Sequence, residues 1–263
     1  MTDVSNTKEV QPKAGKSSGT GVQSVERVFE LLELVTDAGG DVTLSELSAS
    51  TDLPLPTIHR LLRTLVSLGY ARQLANRRYA LGPRLVRLGE VANRKFGQIA
   101  MPQLKDLVSR LGETANLATI DGDRVIYVSQ APSPHAMRMF TEVGRRAHLH
   151  ATGVGKAILS QFSDDAVRDI ISRTGMPPAT EHSIATLPDL LADLELIRER
   201  GYAIDDGEQE IGVRCYAMAV PDMPVATAVS VSGPIARVDD DFAERAIPVL
   251  RDAIAEISAL ARG

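Results

Sequence analysis

The stretch LSELSASTDLPLPTIHRLLRTLVSLGY, residues 44–70, determines how the first part of this chain folds. Thr43 and Glu46 give its start the S/T-x-x-E form of a capping box, which predicts a short helix. The tripeptide DLP at residues 52–54 breaks that helix within two turns. Apolar residues then recur at helical spacing from residue 56 to 68, so we expect a second helix there. Two helices joined by a tight turn are typical of a helix-turn-helix.

The second of these helices has one apolar face and one basic face. The apolar stripe follows the i, i+3, i+4, i+7 pattern and consists of Ile58, Leu61, Leu62, Leu65 and Val66. In a helix-turn-helix the second helix enters the major groove of DNA, where its N-terminal residues reach base edges. One arginine that donates twice to guanine contributes about 1–3 kcal/mol of discrimination. We therefore predict DNA contacts from Thr57, His59, Arg60 and Arg63.

The segments on either side complete a winged helix-turn-helix over residues 21–82. An amphipathic helix is predicted over residues 22–38, with an apolar stripe of Val25, Val28, Phe29, Leu32 and Val35. After the helix pair, YARQLANRRYAL at residues 70–81 predicts a hairpin, or wing, with a basic tip. Arg77 and Arg78 on this wing suit phosphate or minor-groove contacts. We count Ser24 and Arg27 of the first helix among the DNA-binding residues as well.

The distribution of charge agrees with DNA binding, although the whole chain has a net charge of −5. Residues 1–90 carry 11 Lys and Arg against 10 Asp and Glu, so their net charge is +1. Residues 57–87 contain seven arginines and no acidic residue. Phosphate binding requires such a local positive surface, whatever the sign of the total charge.

Length and composition favour two globular domains and exclude several classes of protein. The chain has 263 residues, 44% of them hydrophobic, with no apolar run near the roughly 20 residues that cross a bilayer. Residues 1–20 lack the apolar segment of a secretory signal, and their composition predicts a disordered tail. A single cysteine excludes an internal disulfide and a cysteine-based zinc finger. We expect a cytoplasmic protein with no metal, no cofactor and no membrane partner.

The second part of the chain is predicted to be α+β with a largely antiparallel sheet. Residues 85–110 are mainly helical and would link the domains, and NLATIDGDRVIYVSQ at residues 116–130 predicts a hairpin that turns at residues 121–123. The remaining predicted strands are 136–142, 202–205, 211–220 and 225–232. The remaining predicted helices are 154–162, 164–173, 188–200 and 240–261.

Three groups of residues in this second part predict a pocket for a small polar acid. Thr152 to Lys156, TGVGK, open a helix whose backbone N–H groups favour an anion. Asp205 and Cys215 lie on or beside neighbouring strands. Ser230 and Ser232 are two residues apart on one strand, so both hydroxyls face the same side.

The sequence resembles the IclR family of bacterial regulators from about residue 21 to its C-terminus. The matching motifs are SVERVFELLELV, the stretch 44–70, RRYALGPRLVRLG, HATGVGKAIL, GYAIDDGEQEIGVRCYAMAV and AVSVSGP. Pro56 departs from the family, which commonly has a small polar residue there. The resemblance implies a linker helix over 83–101 and a GAF-like effector domain over 102–263. It also implies an effector pocket of Gly153, Val154, Asp205, Cys215, Ser230 and Ser232.

These features predict a repressor of a catabolic operon that a small carboxylic acid, such as glyoxylate or allantoate, releases from DNA. The protein would act as a homodimer or a dimer of dimers on a palindromic operator. Within the family, the chain is similar to regulators of allantoin and glyoxylate metabolism. One alternative is an activator that responds to an aromatic acid or a metabolite of glycerol.

Two further alternatives belong to other functional classes. An enzyme would use Cys215 as its nucleophile and His148 or His150 as its base. A winged helix that makes only protein contacts would bind DNA weakly, with little dependence on salt.

Overall fold

The computed structural model describes residues 21–96, 100–139 and 141–262. Contacts divide the chain into two units, Met1–Gly89 and Glu90–Gly263. The division falls inside the segment 83–101 that the sequence predicts as a linker helix. The tail expected at residues 1–20 lies outside the described residues.

The described residues of the first unit, 21–89, form three helices, three short strands and the start of a fourth helix. In chain order these are α1 (Gln23–Asp37), β1 (Asp41–Val42), α2 (Leu44–Ser50), α3 (Leu55–Leu68), β2 (Ala71–Gln73), β3 (Tyr79–Leu81) and α4 (Arg84–Phe96). Helix α4 crosses the division between the units. The order of elements confirms the predicted helix-turn-helix and its wing.

Local sequence signals account for the ends of the two central helices. The Thr43 side chain accepts a hydrogen bond from the Glu46 amide, and the Glu46 side chain accepts one from the Thr43 amide, so the capping box is present. Helix α3 begins after Pro54, at Leu55, one residue before the predicted start. It ends at Gly69, whose φ of 78° lies in the left-handed region that glycine adopts without strain.

The core of the first unit differs from the predicted pattern at the N-terminal end of α1. Val35 and Leu32 are buried as expected, and Leu31 joins them. Val25 and Phe29, which belong to the same apolar stripe, are 50% and 59% exposed. The stripe therefore contacts the core at Val28, Leu32 and Val35 and leaves these two side chains exposed.

Strand β1 was absent from the sequence prediction, because two residues are too few to show alternation. It pairs with β3 through Asp41 opposite Ala80 and Val42 opposite Tyr79. Strand β2 pairs with the other edge of β3, which gives a three-stranded antiparallel sheet in the order β1-β3-β2. The wing is therefore tied to the segment that precedes α2.

The second unit is an antiparallel sheet of six strands with helices on both faces. Its elements are α5 (Met101–Leu111), β4 (Thr114–Asp121), β5 (Arg124–Ala131), β6 (Arg146–His148), α6 (Gly153–Leu159), α7 (Asp164–Thr174), α8 (Leu187–Arg200), β7 (Ala203–Asp206), β8 (Val213–Val220), β9 (Thr227–Pro234) and α9 (Asp240–Arg262). The strand order is β6-β5-β4-β9-β8-β7, and each pairing between these strands is antiparallel. The predicted α+β class is confirmed.

Alternate residues of each central strand enter different cores, as the pleat of a sheet requires. On β8, Tyr216 and Met218 pack with α5 and α9, whereas Cys215 and Ala217 pack with α6, α7 and α8. The face toward α6 carries the polar residues that the sequence predicts as a pocket.

The strand predicted at residues 136–142 does not form in the described residues of that segment, and Phe140 lies outside them. Side chains, not a neighbouring strand, bind the backbone there. The Thr114 hydroxyl donates to the Met139 carbonyl at 3.1 Å, and the Arg237 guanidinium donates to the Met137 carbonyl at 2.9 Å. The edge strand β6 lies further along, at Arg146–His148.

None of the helices described here combines the length and the apolar character that a membrane crossing requires.

Gly155 on α6 is expected to tolerate no side chain. A Cβ atom there would overlap the Leu149 carbonyl oxygen and lie 2.6 Å from the Leu149 Cα, which is backbone and does not yield easily. We predict that Gly155→Ala lowers the free energy of unfolding by about 1–3 kcal/mol or more, measured by denaturant unfolding.

Gly89→Ala is the matched control, because a Cβ at this helical glycine meets nothing within 4 Å. It should raise the free energy of unfolding by up to about 1 kcal/mol, through higher helix propensity. Equal stability of the two variants would contradict the close packing of α6.

Candidate functional site

The exposed face of α3 carries three of the four side chains predicted to contact DNA from this helix. His59, Arg60 and Arg63 are exposed, whereas Thr57 is half-buried near the start of the helix. On the opposite face Ile58, Leu62 and Leu65 are buried in the core. The core contacts therefore fix which side of α3 faces outward.

Arg60 and Arg63 make no ion pair with any carboxylate in the described part of the chain. A groove between α3 and the wing runs beside them and is lined by His59, Arg63, Val66, Ser67, Gln73 and Tyr79. The guanidinium groups are thus open to anions from outside the protein. This is the arrangement that phosphate or base contacts require.

The two arginines of the wing have different surroundings. Arg77 lies at the exposed tip with a φ of 64°, in the left-handed region. Arg78 forms an ion pair with Asp41 on β1, donates to the Asp41 carbonyl at 3.1 Å and lies 3.2 Å from the Glu46 carboxylate. Arg78 therefore fastens the wing to β1 and α2. Sequence reasoning missed this role because it missed β1.

Ser24 and Arg27 lie on the first two turns of α1, where Ser24 is exposed and Arg27 half-exposed. Contacts from these two residues, and from the wing and α3, to DNA stay predictions.

In the second unit, strand register brings most of the predicted pocket residues into two neighbouring rows on one face of the sheet. Asp205 on β7 lies opposite Cys215 on β8, and Cys215 lies opposite Ser232 on β9. Ser230 lies opposite Asn116 on β4. All five side chains are on the α6 side, because their positions alternate with those that pack against α9.

Helix α6 lies directly above these polar side chains. A Cβ atom on Gly153, its first residue, would be 3.0 Å from the Cys215 sulfur and 3.5 Å from the Asp205 Cβ. The Thr152 hydroxyl caps the helix by accepting a hydrogen bond from the Gly155 amide at 3.0 Å. The absence of a side chain at Gly153 thus lets the helix start touch the sheet.

A narrow cavity lies between the start of α6 and the sheet, with an interior volume of about 20 Å³. That space accommodates one or two water molecules. Five of the six predicted residues line it: Gly153, Asp205, Cys215, Ser230 and Ser232. Val154 does not, because its side chain is buried in the core between α6 and the sheet. A contact from Val154 could come only from its backbone.

Seven further residues line the cavity and were not predicted: Asn116, Tyr127, Met139, Thr141, Gln209, Glu210 and Val213. Asn116 had a detectable signal, since it is a polar residue in the otherwise apolar start of a central strand. The others belong to loops or to strand positions that look ordinary in the sequence.

A network of amide groups orients the two serine hydroxyls. The Asn116 side-chain nitrogen donates to Ser230 at 3.5 Å and to Ser232 at 3.3 Å. The Gln130 amide donates to the Asn116 side-chain oxygen at 3.1 Å, which fixes the orientation of Asn116. Because each serine oxygen accepts, its own hydrogen remains available to donate to a ligand.

Asp205 is the buried carboxylate of the cavity and is 5% exposed. Its Oδ1 accepts hydrogen bonds from the backbone amides of Glu208 at 2.8 Å and Gln209 at 3.3 Å. Burial raises the pKa of Asp205 to about 6, although these amides and Lys156 oppose the rise. The amide of Gly153 faces the same carboxylate, so the helix start already serves an internal anion.

Lys156 points away from the cavity, into a buried cluster of charges. Its Nζ contacts the Glu208 carboxylate and lies 2.8 Å from the Asp193 carboxylate. Burial raises the pKa of Glu208 to about 7, and the charge of Lys156 moderates that rise. The lysine of the TGVGK motif is therefore a partner of protein carboxylates.

Cys215 lacks the properties of a nucleophile. Burial, with the neighbouring Asp205 charge, holds the pKa of its thiol far above the ordinary value, whereas reactive cysteines have lowered values. His148 and His150 lie against each other with ring centroids 5.2 Å apart, and neither lines the cavity. Burial lowers the pKa of His148 to about 4. Within the described residues, no three His, Cys, Asp or Glu side chains are grouped to hold a metal ion.

We predict that the Cys215 thiol reacts with an aromatic disulfide reagent at least about 100-fold more slowly in the native protein than after unfolding, because thiolate and access are both lacking. The rate is measured from the colour released at about pH 8. In a Ser172→Cys variant, the added thiol on the exposed face of α7 should react at once. Equal rates for the two thiols in that variant would contradict the burial of Cys215.

Comparison with known proteins gives matches to both units. A model of the IclR helix-turn-helix domain matches residues 24–75, and a model described as the bacterial transcriptional regulator IclR C-terminal matches residues 90–259. The chain is 36% identical over 240 residues to the transcriptional repressor IclR of Escherichia coli, which covers 88% of this chain and 87% of that protein. It is 33% identical over 255 residues to the transcriptional repressor AllR of the same organism, over 95% and 93% of the two chains.

A crystal structure of an IclR transcriptional regulator from Alicyclobacillus acidocaldarius is similar in fold. The TM-score is 0.82 at 27% sequence identity, and the match covers 92% of this chain and 99% of that one.

Proposed function

Because the chain belongs to the IclR family of bacterial transcriptional regulators, we propose that it represses a catabolic operon and leaves its operator when a small carboxylic acid binds. The family consists of DNA-binding regulators, not enzymes. The observation that carries the proposal is the convergence of Gly153, Asp205, Cys215, Ser230 and Ser232 on one cavity. A regulator of this kind acts on DNA in the cytoplasm.

In this proposal α3 enters the major groove of double-stranded DNA. Arg60 and Arg63 contact bases or phosphates there. Thr57 and His59 lie at the N-terminal end of α3, which enters the groove first. The support for this orientation is that these arginines are exposed and free of ion pairs among the described residues. Arg77 contacts phosphate or the minor groove from the wing, and Ser24 and Arg27 approach the backbone from α1.

A homodimer is the proposed form on DNA. In the first unit Val25 and Phe29 of α1 and the preceding Val22 are half or more exposed, and so are Val86 and Leu88 of α4. Apolar side chains grouped on a helix face favour contact with another protein surface. A second copy that covers them would give a two-fold axis and a palindromic operator, with half-sites about 34–36 Å apart or a multiple of this.

The acid nature of the effector rests on the polar groups of the cavity. The hydroxyls of Ser230 and Ser232 are oriented by Asn116 and can donate to carboxylate oxygens. The small interior favours a compact acid such as glyoxylate, whereas allantoate and an aromatic acid, which are similar to each other in size, would require larger rearrangement. The ligand must bind more tightly to the form that does not bind DNA, because only differential affinity shifts an equilibrium.

For the DNA-binding surface, we predict that Arg63→Ala weakens binding to an operator duplex by about 1–3 kcal/mol and lowers the slope of log affinity against log salt by about one if the contact is to phosphate. Fluorescence anisotropy over a salt series measures both quantities.

Arg251→Ala on the exposed face of α9 removes an equal charge outside the first unit and is the control. An equal loss of affinity in the two variants, or wild-type binding that ignores salt, would favour a winged helix used for protein contacts.

For the pocket, we predict that glyoxylate or allantoate at 100 times its dissociation constant stabilises the protein by about 2.7 kcal/mol, seen as a rise in melting temperature. The panel also includes pyruvate, protocatechuate and the uncharged allantoin. Ser230→Ala should abolish the rise, because it removes a hydroxyl that donates to the acid. Ser172→Ala, on the exposed face of α7, should retain it.

No shift with any member of the panel would remove the small-acid proposal and leave the DNA-binding assignment in place.

A further inference from the structure

We propose that the effector pocket binds its acid together with one proton, which is held on the Asp205 carboxyl group. This inference rests on the proposed function, since it requires that a small acid occupies the cavity. It concerns the electrostatic problem that such an acid meets there.

The cavity offers an anion no positively charged side chain. Among its lining residues in the described part of the chain there is no Lys, Arg or His, whereas Asp205 and Glu210 are carboxylates. A small oxo acid is ionised above about pH 4, as α-carboxyl groups are. An ionised acid in this space would therefore lie beside an ionised Asp205 without a compensating cation. Two carboxylates that share a buried site retain a proton between them.

The buried lysine does not solve this problem, because protein carboxylates already compensate its charge. Lys156 contacts Glu208 and Asp193, and Arg200 lies 3.6 Å from the other oxygen of Asp193. With Asp205, three carboxylates face two cations. With all three carboxylates ionised, the cluster has one negative charge in excess before any ligand enters.

The hydrogen bonds of the cavity fit a protonated Asp205 that donates to the ligand. The amides of Glu208 and Gln209 donate to Oδ1 and hold the carboxyl group in place. A proton on the carboxyl group makes it a donor beside the two serine hydroxyls of Ser230 and Ser232. An O–H group that donates to a carboxylate forms a short, strong hydrogen bond. In the binding step, the Asp205 carboxylate, the acid anion and one proton from solvent combine. The resulting pair of carboxyl groups carries a net charge of −1.

The thiol and the phenol near Asp205 keep their own protons at neutral pH. Burial keeps the pKa of Cys215 and Tyr127 far above neutrality, so both stay uncharged. Titratable or charged side chains from several elements face Asp205 or its immediate neighbours. The helices contribute Lys156 of α6 and Asp193 of α8, and the strands contribute Cys215 of β8 and Tyr127 of β5. Glu208 and Glu210 follow β7, and the exposed Arg145 lies beyond Tyr127. Of these, Glu208 is the competing site for the proton.

The test is calorimetric titration of the full-length protein with glyoxylate between about pH 5.5 and pH 8, in pairs of buffers with different ionisation enthalpies. Since the pKa of the free Asp205 is about 6, the proton is already present below that value and must be taken from solvent above it. We expect a Kd that does not change with pH at the acid end of the range and that rises about tenfold per pH unit above neutrality. Above neutrality, uptake should approach one proton per bound glyoxylate.

Three variants assign the proton. Asp205→Asn keeps the oxygen that accepts from the two amides and removes the charge, so its Kd should vary by no more than about twofold across the range. Asp206→Asn is the matched control: this neighbour points to the opposite face of β7 and pairs with Arg214 at 2.8 Å. It should keep the wild-type pH dependence, and so should Glu208→Gln.

Failure of this inference differs from failure of the proposed function. Binding of glyoxylate with a constant Kd and no proton uptake would overturn the inference and leave the acid effector standing. A pH dependence lost in Glu208→Gln but kept in Asp205→Asn would overturn the assignment to Asp205. Binding of uncharged allantoin alone, with no binding of glyoxylate at any pH, would contradict both the inference and the acid effector.

Discussion

The direct contact between the start of α6 and the central sheet is the constraint on which the second unit depends. Gly153 and Gly155 make this contact possible, because a Cβ on either residue would crowd the sheet or the preceding turn. The same contact buries Lys156 and places Asp205, Cys215 and the serines under the helix start. The packing of one short helix thus determines both the shape of the cavity and the charges that surround it.

The burial of those charges links the pocket to pH. Lys156, Glu208 and Asp193 compensate one another, whereas Asp205 has backbone amides but no cation of its own. A regulator of acid catabolism built in this way would respond both to the concentration of its effector and to pH. In the first unit, by contrast, the ion pairs of Arg78 stabilise the position of the wing against β1 and α2.

The sequence predicted what depends on local patterns and missed what depends on distant pairs. The capping box, Gly69 and the periodicity of α3 are local, so the helix-turn-helix was predictable to within one residue. The pocket serines followed from alternation along β9. The ion pair between Arg78 and Asp41 joins residues 37 positions apart and could not be seen. The strand expected at residues 136–142 does not form in the described residues, where side chains of Thr114 and Arg237 bind the backbone carbonyls.

The most direct test of the account is the affinity for DNA with and without the acid, on a duplex that the protein itself selects from a random pool. We expect saturating glyoxylate to weaken DNA binding by about 5–150-fold, the usual range of coupling between two sites. Ser230→Ala should bind the duplex as tightly as wild type and ignore the acid. Unchanged DNA affinity in a protein whose melting temperature shows that glyoxylate is bound would contradict the proposal that the acid releases this repressor from DNA.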